Sequence, residues 1–144
     1  MHALPLVCLC VLIRTGAAAA ARRPELIKVE QDSDAMLPCS LGNKQNMESG
    51  LFHWKKASDG DQLPKEVFFY EAPSSHYNNG LDGQSDQFKG RVAFFPDELK
   101  HGNASIVIRN TKMADAGNYT CAFPRLQTPQ TFYVELIVGP VLTS

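Results

Sequence analysis

Seven residues near the end of this 144-residue chain constrain its fold more than any other stretch: Asp115, Ala116, Gly117, Asn118, Tyr119, Thr120 and Cys121. They read as a corner that feeds the first half of a central β-strand. Gly117 lets the backbone turn tightly into the strand. Tyr119 and Cys121, two apart, point to one buried face, where the tyrosine ring packs and its hydroxyl reaches back to the corner. Cys121 calls for a partner on an opposing sheet, and Trp54, the sole tryptophan, lies between it and Cys39. The expected class is all-β, two packed sheets.

Residues 1–21 read as a secretory signal peptide: an apolar run, Ala3 to Ile13, then a small-residue tract, Ala17 to Ala21. An apolar run of that length is too short to span a bilayer. Cys8 and Cys10 leave with the signal, so Cys39 and Cys121 remain as one pair in an exported chain. That usage predicts a structural disulfide rather than a redox or metal site. Its loop takes in most of the mature chain and is worth about 4 to 5 kcal/mol in the chain-entropy model. Arg14 also leaves, so the 14 basic residues become 13 against 15 acidic, a net charge of 13 − 15 = −2. Neither nucleic acid nor an anionic membrane surface is an expected partner.

Residues 22–138 form the expected domain, and 139–144 a short tail or linker. The chain opens with an edge strand from Arg22 to Gln31, with Leu26, Ile27 and Val29 available for burial. From Ser33 the pattern alternates, with Ala35, Leu37, Cys39 and Leu41 on one face. After a polar loop, Phe52 and Trp54 turn inward, leaving Leu51, His53 and Lys55 outward. Val67, Phe68, Phe69 and Tyr70 cannot all be buried in one sheet of a sandwich, so two of the four face out. The stretch Ala72 to Gln87 reads as a long loop or weak edge strand. Val92 and Phe94, then Ala104, Ile106 and Ile108, alternate inward. Phe132, Val134, Leu136 and Val138 share one face of the closing strand, and Tyr133, Glu135 and Ile137 the other.

The order Cys39, Trp54, Cys121 with the Tyr119 corner resembles an immunoglobulin domain. The long Ala72 to Gln87 segment fits its variable type, a Greek-key antiparallel β-sandwich with one inter-sheet disulfide. In such domains a basic residue opening one strand meets the acid before the corner; here these are Arg91 and Asp115, a structural pair. A narrower resemblance lies in Phe88, Lys89, Gly90, Arg91 and Val92, then Phe95 to Leu99, then Gly102 to Ile106. These residues are similar to the variable-type domains of butyrophilins and T-cell costimulatory ligands. The resemblance runs over roughly residues 25–138 and implies a cell-surface ligand that engages lymphocyte receptors through one sheet face, without catalysis. The partner it implies is a protein receptor of the immunoglobulin superfamily. The expected location is extracellular: secreted as the chain stands, or at the cell surface if it is part of a longer protein. Homophilic or heterophilic adhesion, with the same face forming a homodimer, is the alternative.

Catalytic and metal chemistry find little support. His53, His76 and His101 are scattered, no serine sits in a nucleophile elbow, and no close His or carboxylate set has ligand spacing. No cofactor or small-molecule substrate is expected. Asp59, Asp61, Asp82 and Asp86 read as loop solvation. Asn103-Ala104-Ser105 and Asn118-Tyr119-Thr120 fit the N-glycosylation pattern, Asn103 being the better placed because it sits in a polar turn. For protein contact the expected residues are Leu51, His53, Phe68 and Tyr70 on the tryptophan-strand sheet, with Phe123, Arg125 and Leu126 in the loop at its end. The parity from Val67 to Tyr70 is not settled by the sequence: if Phe69 packs inside, Phe68 and Tyr70 face out, and Phe69 is the alternative to Phe68 on this face.

Overall fold

A computed structural model describes residues 23–141 apart from 59, 61, 73–75 and 78–82. The signal-peptide expectation, the end of the tail and the acids Asp59, Asp61 and Asp82 lie outside the described residues. Nine strands appear among those described: β1 Glu25–Glu30, β2 Ala35–Leu37, β3 Leu51–Lys56, β4 Lys65–Glu71, β5 His76–Tyr77, β6 Val92–Phe94, β7 Ile106–Ile108, β8 Gly117–Phe123 and β9 Gln130–Gly139. They form a six-stranded sheet in the order β1-β9-β8-β3-β4-β5 and a three-stranded sheet in the order β2-β7-β6. β1 pairs with β9 in parallel, and every other strand pair is antiparallel.

The core forms where the alternating faces of the two sheets meet. Phe52, Trp54, Tyr119, Cys121, Phe123, Val134 and Leu136 come from the larger sheet; Ala35, Leu37, Val92, Ile106 and Ile108 come from the smaller. Two links tie the sheets beyond packing. Cys39 and Cys121 are disulfide-bonded with Cα atoms 6.5 Å apart, closing a sequence separation of 82. Trp54 Nε1–H donates to the Ala104 carbonyl at 2.9 Å, so the indole is buried without an unpaired donor. Met47, in the loop before β3, and Leu99, in the 3-10 turn Pro96–His101, close the core and are joined through Met47 N–H to Leu99 O at 2.8 Å.

Simple alternation fails in β4. Trp54 faces Phe68, but Lys55 faces Glu66, so the register shifts and Val67 is an extra residue. A bulge of this kind turns two successive side chains toward one face. Val67 and Phe68 are therefore both fully buried, Tyr70 is buried with them, and Phe69 is the residue on the outer face. Phe68 and Tyr70 stack with Phe52 and Phe94 inside, which removes both from the contact face expected of them. Phe123 is corrected too. It is the last residue of β8, not a loop residue, and it shares the inward parity of Tyr119 and Cys121.

β1 corrects a third expectation. As an edge strand paired with β9 it alternates, so Ile27 and Val29 pack against the core while Leu26 points outward and is 57% exposed.

The candidate contact face and the corner beneath it

The corner before β8 is a closed polar network. Arg91 Nη1 donates to Asp115 Oδ1 at 3.2 Å, and Arg91 Nη2 donates to Oδ2. Gln87 Nε2 and the Lys112 backbone N–H add donors at 2.8 Å each, so a fully buried carboxylate is satisfied on both oxygens. Burial pushes the Asp115 carboxyl up, but the hydrogen bonds from Arg91, Gln87 and Lys112, with the Arg91 charge, outweigh it and hold the group below the usual range. Tyr119 lies against this network and its hydroxyl donates to the Asp115 carbonyl. Burial, then the Asp115 charge, push the phenol far up. Gly117 enters the strand at φ +147°, and a Cβ there would sit 3.1 Å from Lys56 Nζ. All of these groups hold the fold.

The outer face of the six-stranded sheet is set by register. Three of its transverse rows start on β9, and the last of them crosses all the way to β4. Glu135 faces Asn118; Tyr133 faces Thr120, which faces Lys55; Thr131 faces Ala122, which faces His53, which faces Phe69. Beyond these, Leu51 faces Glu71 at the end of β4. Arg125, in the turn after β8, donates through Nη2 to Glu71 Oε2, so this ion pair spans the upper end of the face. Of the expected contact residues, the structure brings together His53, Arg125 and Leu126 here. Leu51 has the expected outward parity but is buried, in a surface recess that it lines with Met47, Arg125 and Leu126.

The electrostatics of the face centre on Lys55. His53 is half-buried, and its buried Nδ1 has no hydrogen-bond partner among the described residues. Burial and then the Lys55 charge lower its pKa. Across from Lys55, burial raises the Glu66 pKa and the same lysine partly opposes the shift. Among the described residues no group of three or more His, Cys, Asp or Glu could hold a metal ion.

Tyr133 was not singled out for contact from the sequence, and Phe69 stood only as the alternative to Phe68. For Tyr133 a signal existed, because the two-residue period of β9 already put it opposite the core. For Phe69 the signal was masked by the bulge. The two acceptor asparagines also differ in setting. Asn103 is half-buried, with Oδ1 accepting from the Ser105 N–H at 3.0 Å and its hydroxyl at 2.6 Å, whereas Asn118 is exposed on the outer face.

Comparison with known proteins agrees with this architecture. The family model for the immunoglobulin V-set domain matches residues 22–138. The CD276 antigen homolog of Xenopus laevis is 29% identical over 146 residues, 96% of this chain and 42% of its own length. HERV-H LTR-associating protein 2 of Homo sapiens is 31% identical over 112 residues, 78% of this chain and 24% of its own length. The chain thus spans less than half the length of either relative. The human B7-H4 IgV-like domain superposes with a TM-score of 0.66 at 22% identity, covering 81% of this chain and 95% of that domain, a likeness of fold. The chain belongs to the immunoglobulin V-set family.

Proposed function

We propose that this chain acts outside the cell as a ligand, binding an immunoglobulin-superfamily receptor on lymphocytes through the outer face of its six-stranded sheet and so modulating T-cell signalling. The observation that carries the reading is the face itself. It presents His53 and Phe69 side by side in one row, bordered above by Leu126 and the Arg125–Glu71 pair. Aromatic side chains at the middle with charged groups at the border are the composition of a protein contact. Membership of the immunoglobulin V-set family and the resemblance of Phe88 to Ile106 to butyrophilin and costimulatory-ligand domains support the same reading. The signal-peptide reading of residues 1–21 supports export.

The test is staining of resting and activated lymphocytes with a multivalent form of the secreted chain. Phe69→Thr and Arg125→Glu should each lower staining at least tenfold while leaving the unfolding midpoint close to that of the parent protein. Staining that survives both changes, or no staining of any lymphocyte population, would overturn the reading.

A further inference from the structure

The apolar side chains most exposed on the outer sheet face are not scattered. Leu26 (57% exposed), Tyr133 (45%) and Ile137 (37%) gather around Glu135. Leu26 is directly opposite Glu135 in the parallel β1–β9 pair, and Tyr133 and Ile137 lie two residues to either side of it on β9. β1 is also an edge strand, whose outer backbone edge is open to pairing. An apolar patch beside an open edge makes a monomeric domain prone to self-association.

Asn118 is the residue opposite Glu135 on the other side. It is exposed, its side chain makes no hydrogen bond among the described residues, and it opens the acceptor triplet Asn118-Tyr119-Thr120. Adjacent strands lie about 4.8 Å apart, so Leu26 is two strands, or about 10 Å, from Asn118. Tyr133 and Ile137 are its diagonal neighbours, at about 7 to 8 Å. A branched glycan on Asn118 Nδ2 reaches all three. The other triplet is less well placed. Asn103 is half-buried, its Nδ2 lies 3.4 Å from the Glu98 carboxylate, and Ser105 is buried where its hydroxyl takes the Cys39 N–H at 3.0 Å.

We propose that Asn118 carries an N-linked glycan, and that this glycan covers the Leu26–Tyr133–Ile137 patch and keeps the domain monomeric. The linkage is an N-glycosidic bond between Asn118 Nδ2 and the first sugar's C1: the sugar–phosphate bond of a lipid-diphosphate-linked oligosaccharide donor of the secretory pathway breaks, the lipid diphosphate leaves, and the amide nitrogen gives up one proton. The disulfide between Cys39 and Cys121 suits passage through that oxidising compartment. The His53 row is four residues further along β8, about 13 Å from Asn118, and stays open to a partner. The proposal does not depend on the receptor reading.

The test uses the full chain secreted from cultured animal cells. Peptide mass analysis after amidase release of N-glycans should find Asn118 converted to Asp. Sedimentation of the intact glycoprotein should then give a monomer, and Asn118→Gln should associate at least tenfold more tightly. Adding Leu26→Ser and Ile137→Thr to Asn118→Gln should restore the monomer, whereas Asn103→Gln should leave it unchanged. An unmodified Asn118 in the secreted, disulfide-bonded protein would overturn the proposal. So would an Asn118→Gln protein as monomeric as the glycosylated form across the same concentrations.

Discussion

Trp54 faces Phe68 across the β3–β4 pair, and the next residue along, Lys55, faces Glu66, so Val67 has no residue opposite it. This bulge places Phe68 wholly in the core beside Phe52 and Phe94. Phe68→Ala should therefore destabilise the domain by about 3 to 5 kcal/mol in urea unfolding. Tyr133→Ala, on the exposed face of β9, should change stability by less than about 0.5 kcal/mol. Equal effects from the two changes would contradict the register.

The Arg91–Asp115 pair gives a second expectation. Removing the carboxylate leaves the largely buried Arg91 guanidinium without its counter-charge, and Asp115→Ala should cost about 3 to 5 kcal/mol. The pH dependence has a definite sign. The folded pKa lies below the unfolded value of about 3.9, so the contribution is complete above that value and is lost as pH falls through the folded pKa. Unfolding curves collected between neutral pH and pH 2 should show the difference between wild type and Asp115→Asn shrinking only in the acid range.

Reduction should threaten the fold itself. The Cys39–Cys121 bridge closes a sequence separation of 82, which the chain-entropy model values at about 4 to 5 kcal/mol, much of the stability of a domain of this size. Paired Cys39→Ala and Cys121→Ala substitution should lower the urea midpoint accordingly, and a midpoint unchanged by both would contradict this account.

His53 gives a milder, nearer-neutral signal. Its pKa is lowered in the fold by burial and by Lys55, so folding favours the neutral ring. Stability should decline as pH falls through the unfolded value of about 6.5 and level off below the folded pKa. His53→Phe should flatten that window, read from thermal midpoints between pH 8 and pH 5.

Much of the fold was legible along the chain because its signals are local. The Tyr119–Cys121 spacing, the alternation at Ala35 and Leu37, and the two-residue period of β9 each mark an inward face without knowledge of a neighbour. The sandwich class, the Cys39–Cys121 bridge and the outward parity of Tyr133 followed from these. What the chain order could not settle was any property that depends on a second strand. The bulge at Val67 exists only relative to β3, and pairing with β3 decides the parity of Phe68, Phe69 and Tyr70 that the sequence left open. Leu51 keeps its outward parity but is buried, in a recess it shares with the Met47 loop and the turn after β8. The meeting of Leu26 with Glu135 and of Glu135 with Asn118 joins three distant segments into one row. By itself the sequence determined which side chains are apolar and at what period they recur; tertiary pairing alone decided which of them are shared with the core and which are left on the surface, because register is a relation between strands.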